Sequence, residues 1–185
     1  MIMDILQIIN HFYPEDNELK HILLTHSEAV ANKALAIASL HPELQLDEPF
    51  LYEASMLHDI GIIRCDAPGI CCFGTEPYIC HGRIGAEMLR SLGYPRHARV
   101  CERHTGTGLS KEEIIKRNLP LPHQDFMPET MEEQVICYAD KFFSKTRPER
   151  EKTIEEAEKS LAKFGEEGIE RFRRWSTLFT TINCR

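Results

Sequence analysis

The sequence lacks the features of a membrane-spanning, exported or nucleic-acid-binding protein. Its 185 residues contain no apolar run of the roughly 18–20 residues that a transmembrane helix needs. The N-terminal segment Met1-Ile2-Met3-Asp4 has an early acid and no basic flank, which argues against a signal peptide. With 22 basic and 29 acidic residues the formal net charge is −7, so no broad basic surface is available for nucleic acid or an anionic membrane. We therefore expect a cytoplasmic protein with neither kind of partner.

The sequence also gives no sign of a disulfide framework. Seven cysteines is an odd number, and a chain of this length buries a core without covalent cross-links. Four cysteines cluster on a segment rich in glycine and proline, residues 62–80, namely Cys65, Cys71, Cys72 and Cys80. Their spacing matches no common tetrahedral zinc pattern, although a zinc knot is the alternative. We expect free thiols on a mobile loop.

Helical periodicity runs along almost the whole sequence. One apolar stripe runs from Ile2 to Phe12, and two helices in the tail carry further stripes that end at Ile182. The segments Asp16-Asn17 and Asp47-Glu48-Pro49 are helix-start signals. Ser110-x-x-Glu113 and Thr130-x-x-Glu133 are capping boxes. No convincing alternating strand is present. The sequence predicts one all-α domain, divided into an N-terminal helix and linker (1–19), a central domain (20–150) and C-terminal helices packed on it (151–185).

Several histidines and aspartates fall at positions that these helices would bury. His26 lies on an apolar stripe, where a lone histidine is commonly a hydrogen-bonded core residue. His58 and Asp59 end an apolar segment, and His104 shares a helical face with apolar residues. Asp140 lies in the apolar run 135–143, and a buried carboxylate must pair with a cation or bind a metal.

Taken together, these residues have the ligand count for two divalent metals that share one carboxylate. The set contains four histidines and two aspartates: His26, His58, Asp59, His81, His104 and Asp140. Nitrogen and oxygen ligands without thiolates are suited to binding iron, manganese or zinc. They are less typical of a structural zinc site, which is built on cysteines. We expect two divalent transition-metal ions, iron or manganese first, with zinc, cobalt, nickel or magnesium as alternatives. Because the ligands come from at least four helices, the site would lie in the core of the helix bundle.

The segment His58-Asp59-Ile60-Gly61 resembles the signature of the HD superfamily of metal-dependent phosphohydrolases, in its HDIG form. The resemblance covers about residues 20–150 and includes the segments His81-Gly-Arg-Ile-Gly-Ala-Glu, Arg103-His104-Thr105-Gly106 and Ala139-Asp140-Lys141. It implies an all-helical HD domain with a dinuclear site. His26, His58, Asp59 and Asp140 would hold one metal, and Asp59 would bridge to a second held by His81 and His104.

The same resemblance implies the activity. A metal-activated hydroxide would hydrolyse a phosphate ester or anhydride of a small molecule, with a nucleotide as the first candidate. Asp59 and Lys141 are the candidate catalytic residues. Two features depart from relatives: Ile62 stands where many dinuclear members have lysine, and the Gly-Tyr-Pro motif of the cyclic-dinucleotide branch is absent.

A basic segment, residues 144–150, follows the last aspartate and resembles the phosphate-contacting segment of the cyclic-dinucleotide branch. It supplies three candidate substrate-binding residues, Lys145, Arg147 and Arg150. Arg147 is the first choice, because a position seven residues after Asp140 would share its face of a continuing helix. The alternative is that these residues are ordinary surface charges.

Two other functions are compatible with the ligand set. Some HD-fold relatives use a similar di-iron array to activate oxygen, so an oxygenase is the first alternative. A nucleotide sensor that keeps the site for binding without turnover is the second. Substrate-dependent oxygen uptake would identify the oxygenase, and tight binding without turnover would identify the sensor.

Overall fold

The computed structural model describes residues 4–181 and contains nine α-helices in that range. Their bounds are α1 (Ile5–Phe12), α2 (Glu18–Leu40), α3 (Glu48–Leu57), α4 (His81–Ser91), α5 (Pro95–Arg103), α6 (Lys111–Lys116), α7 (Met131–Asp140), α8 (Ile154–Ser160) and α9 (Glu166–Thr180). Within these residues no helix combines the length and apolar character needed to cross a membrane. The predicted stripe positions Ile2 and Ile182, and Cys184, lie outside the described residues. The all-α prediction is confirmed.

The helix starts follow from side-chain caps. Asn17 and Asp47 each accept a hydrogen bond from a backbone N–H of the first helical turn, in α2 and α3. Ser110 and Thr130 form the two predicted capping boxes at the starts of α6 and α7. A third capping box, which Thr153 forms at the start of α8, was not predicted.

Residues 62–80 correct the expectation of an irregular loop. They include the end of a 3-10 turn (Ile60–Arg64) and a small antiparallel pair, β1 (Asp66–Ala67) with β2 (Cys72–Phe73). The strands were not predicted because each is only two residues long. Cys65, Cys72 and Cys80 are buried in an apolar core cluster, so these three thiols pack into the core rather than lining an exposed loop.

Two apolar clusters surround the long helix α2. One contains α1, α4, α5 and the 60–80 segment, and the other joins α7 with α8 and α9. Helix α2 packs against α3 and α7, and α4 packs against α5 and the turn at residues 60–64. These contacts bring the ends of α3, α5 and α7 and the start of α4 towards the middle of α2.

Two glycines allow the closest backbone contacts around this meeting point. A Cβ on Gly61 would lie 2.2 Å from the carbonyl oxygen of His81, and one on Gly82 would lie 2.4 Å from the carbonyl oxygen of Cys101. Real Cβ atoms do not approach backbone atoms so closely. Any side chain at either position would therefore push α4 away from the turn after α3 or from α5.

We predict that Gly61→Ala destabilises the fold by about 1–3 kcal/mol, because the added methyl group meets rigid backbone on α4. The measurement is the free energy of unfolding from denaturant titration. Gly69→Ala is the matched control: a Cβ there meets nothing within 4 Å, so its effect should stay within about 0.5 kcal/mol. Equal effects of the two substitutions would contradict this packing argument.

Candidate metal centre

The six predicted ligands lie at helix ends around the middle of α2. His58 caps the C-terminus of α3 and Asp59 follows it, while His81 is the first residue of α4. His104 caps α5, and the last residue of α7 is Asp140. Only His26 lies within a helix, on the buried face of α2. All six side chains are buried.

Asp59 lies at the centre of the cluster. Its Oδ2 atom is 3.1 Å from His26 Nε2 and 3.0 Å from His58 Nε2. Its Oδ1 atom is 3.4 Å from the Nε2 atoms of both His81 and His104. The carboxylate therefore presents one oxygen to each pair of histidines, which is the geometry of a bridging ligand.

The ligand atoms form two groups that share Asp59. His26, His58, Asp59 and Asp140 are the first group, and Asp59, His81 and His104 are the second. Within each group the candidate ligand atoms lie within 4.8 Å of one another. These are the two sets that the sequence analysis assigned to two ions.

Backbone carbonyls fix the orientation of three of the four histidine rings. Nδ1 of His58 lies 2.6 Å from the carbonyl oxygen of Ser55, and His81 and His104 make equivalent contacts at 2.6 and 2.7 Å. Since a carbonyl only accepts, each Nδ1 donates, and in a neutral ring the lone pair stays on Nε2. Such hydrogen bonds are typical of histidines that bind a metal through Nε2.

The contact between His81 and His104 tests whether a cation fits. Their Nε2 atoms are 3.0 Å apart. Burial lowers the pKa of His81 to about 3 and also lowers that of His104, so both rings are neutral at pH 7. Two neutral rings that donate through Nδ1 point lone pairs at each other, an arrangement that a cation between them would stabilise.

Around Asp59, further buried polar atoms lack hydrogen-bond partners in the described part of the chain. His58 Nε2 and both Asp59 oxygens are buried without a partner of hydrogen-bond geometry among residues 4–181. Burial opposes the charge on His58, but Asp59 and Asp140 outweigh it and raise its pKa to about 9. Burial also opposes ionisation of Asp59, yet His58 and Lys145 hold its pKa well below the usual range. Buried His/Asp groups of this kind can bind metal ions.

Two predicted lysines also reach the cluster. Lys145 Nζ lies 2.5 Å from Asp59 Oδ2. Lys141 Nζ donates to Asp140 Oδ2 at 2.7 Å and to the carbonyl oxygen of His104 at 2.8 Å, so it ties α7 to the end of α5. Lys141 therefore holds one candidate ligand in place.

The structure does not bring the two predicted arginines to the cluster. The expectation that Arg147 shares a helical face with Asp140 was wrong, because α7 ends at Asp140 and the chain continues in turns. Arg147 is exposed and does not line the cavity above the cluster. Arg150 is exposed and pairs with Glu156 at 2.6 Å.

A cavity of about 570 Å³ leads to the cluster. His81, His104 and Asp140 line its inner end. Several residues that also line it were not predicted, among them Tyr78, Arg117, Lys152, Lys163 and Phe164. Most of these follow no motif and lie on separate elements, so no spacing in the sequence could have shown that they meet.

The six cysteines among the described residues do not form a second metal site. Among residues 4–181 the only groups with metal-binding spacing are the two His/Asp sets. Burial raises the pKa of Cys65 to about 12 and that of Cys72 to about 11, so these thiols stay protonated. The six described cysteines are free, as expected.

Comparison with known proteins shows the family. The family model for the HD domain matches residues 23–144. An uncharacterised protein of Methanocaldococcus jannaschii is 35% identical over 150 residues, which are 80% of this chain and 79% of that protein. No solved structure shows significant similarity to this chain.

Two longer proteins also match. They are named tRNA (cytidine(56)-2′-O)-methyltransferase and come from Picrophilus torridus and Thermoplasma volcanium. The first is 32% identical over 127 residues, 68% of this chain, and the second 33% over 123 residues, 66% of this chain. The match covers 33% and 32% of their lengths, so this chain spans about a third of each.

We predict that the protein purified without chelator carries up to two transition-metal ions per chain. Asp59→Ala should lose both ions, since Asp59 belongs to both ligand groups, whereas His104→Ala should mainly lose one. Elemental analysis measures the content. Added metal should raise the stability of the wild type by about 2.7 kcal/mol at a hundredfold excess over Kd.

His97→Ala is the matched control for these variants. His97 is also a buried histidine, but it pairs with Glu53 at 3.2 Å outside the cluster. Its loss should leave the metal content unchanged. Equal metal content in the Asp59 and His97 variants would contradict the assignment of the ligands.

Proposed function

The chain belongs to the HD domain family, and on that premise we propose that it is a metal-dependent phosphohydrolase. It would hydrolyse a phosphate ester or anhydride of a small molecule, and a nucleotide is the class to test first. The observation that carries the proposal is the shared carboxylate of Asp59, which lies between two histidine pairs. The cationic cavity above it supports a phosphorylated substrate.

The chain's own residues have distinct roles in this proposal. His26, His58, Asp59 and Asp140 would hold one divalent ion, and Asp59, His81 and His104 the other. When bound, such ions lower the pKa of a coordinated water and stabilise negative charge on a phosphoryl group. Iron or manganese remains the first expectation for the metal.

Lys145 is the residue best placed to contact the phosphate. Burial disfavours its charged form, but Asp59 and other neighbours outweigh this and raise its pKa above the usual value. Lys145 therefore stays protonated at neutral pH and cannot act as a base. It would instead balance the charge of Asp59 and the phosphate. Lys141 orients Asp140 through its hydrogen bond.

A phosphate-release assay under anaerobic conditions tests the proposal. Protein loaded with iron or manganese is given nucleoside mono-, di- and triphosphates, and phosphate release without oxygen is the expected result. Substrate-dependent oxygen uptake would instead identify an HD-fold oxygenase. Tight nucleotide binding without any turnover would identify a sensor.

We predict that Lys145→Ala lowers kcat/KM by about 10–150-fold, because a charge-assisted hydrogen bond contributes about 1.5–3 kcal/mol. Arg147→Ala is the matched control from the same segment and should stay near the wild-type value, because Arg147 is exposed and outside the cavity. Both are assayed at matched metal content, since Lys145 contacts Asp59. A larger loss in the Arg147 variant would contradict this assignment.

A further inference from the structure

The cavity above the metal cluster is strongly cationic in a chain that is acidic overall. It is lined by five basic side chains and one carboxylate, that of Asp140, whereas the whole chain has a formal net charge of −7. The basic residues are Arg117, Lys141, Lys145, Lys152 and Lys163. Positive charge concentrated in a cleft favours an anionic ligand.

The five cations fall into an inner and an outer set. The inner cations, Lys141 and Lys145, pair with Asp140 and Asp59 of the metal cluster. The outer cations are Arg117, Lys152 and Lys163, and no carboxylate of residues 4–181 forms an ion pair with them. The positive charge of the outer set is therefore not neutralised by an ion pair with the carboxylates of the metal cluster.

Two of the outer cations lie against one aromatic ring. Arg117 and Lys163 both lie against the ring of Phe164, with Cζ and Nζ at 5.5 and 5.2 Å from its centroid. The third outer cation, Lys152, lies next to the inner set, with its Nζ 3.4 Å from the carbonyl oxygen of Lys141. Burial lowers the pKa of Lys152; the charge of Asp140 opposes this shift, and the charges of Lys141 and Lys163 add to it. A bound anion would relieve this repulsion.

The ring of Phe164, against which Arg117 and Lys163 lie, is itself fixed in place. Gly106 has a φ of +60°, and a Cβ there would lie 3.1 Å from the ring of Phe164. The absence of a side chain at Gly106 thus lets the ring pack on the backbone directly after His104. Lys152, Lys163 and Phe164 all follow residue 144, where the match to the family ends.

The size of the cavity exceeds what one phosphate needs. About 570 Å³ is within the range of sites for whole small-molecule ligands. A phosphate at the metal cluster would meet Lys141 and Lys145, which pair with the carboxylates of the cluster. We propose that the substrate carries a second phosphate, remote from the one hydrolysed, which binds Arg117, Lys152 and Lys163; the position of the first phosphate rests on the proposed function.

The test compares two probes that differ by one remote phosphate, adenosine 5′-monophosphate and adenosine 3′,5′-bisphosphate. Their Kd values are measured by calorimetry with the metal-loaded protein, at low temperature so that turnover is slow. Where turnover occurs, kcat/KM is also measured. We expect the bisphosphate to bind about 5- to 30-fold more tightly, the range for two partly exposed ion pairs.

The double variant Arg117→Gln/Lys163→Gln removes two of the three outer cations, so it should remove most of this preference and leave the affinity for the monophosphate within about twofold of wild type. The matched control is Lys116→Gln/Lys159→Gln, which removes two exposed charges nearby that do not line the cavity. The control should keep the full preference.

The outcomes separate this inference from the proposed function. Equal affinity of the wild type for both probes, or an unchanged preference in the Arg117/Lys163 variant, overturns the second-phosphate site, even where both probes are hydrolysed. A preference for the bisphosphate that the variant loses supports the site, even where neither probe is hydrolysed. In that case only the hydrolase proposal fails.

Discussion

The structure depends on the burial of one carboxylate. Asp59 is fully buried, and a charge in that position is unfavourable unless cations or hydrogen-bond donors surround it. Such groups come within contact distance from the ends of α3 and α5, the start of α4, the middle of α2 and the segment after α7, which supplies Lys145. Each helix end therefore has a defined position, because moving any of them away leaves the charge less well compensated.

Close backbone packing makes this convergence possible. Gly61 and Gly82 let α4 approach the turn after α3 and the end of α5 without intervening side chains. The rings of His81 and His104 are then held by carbonyl oxygens of their own chain segments. The orientation of the ligands thus comes from the backbone, which is more rigid than a network of side chains would be.

Charge is distributed unevenly between the surface and the cavity. Many surface arginines pair with glutamates, as Arg99 does with Glu129, and so contribute little net field. The cavity has five cations against one carboxylate. The C-terminal part of the chain supplies two of its outer cations, Lys152 and Lys163, and the ring of Phe164, against which Lys163 and Arg117 lie. This part lies beyond the family match, and under the proposed function we assign it to substrate selection rather than to metal binding.

The helical class, most helix starts and the six clustered His/Asp residues could be predicted from the sequence, because caps, periodicity and polar residues on apolar faces are local signals. Tertiary structure alone decided which cations reach the site. Arg147 seemed to follow Asp140 on a helix, but α7 ends there, and Lys145 turns inward. Lys152, Lys163 and Arg117 meet only because α6 and the C-terminal segment converge on one cavity. Long, flexible cations have no periodic signature, so their positions depend on contacts between segments distant in the sequence.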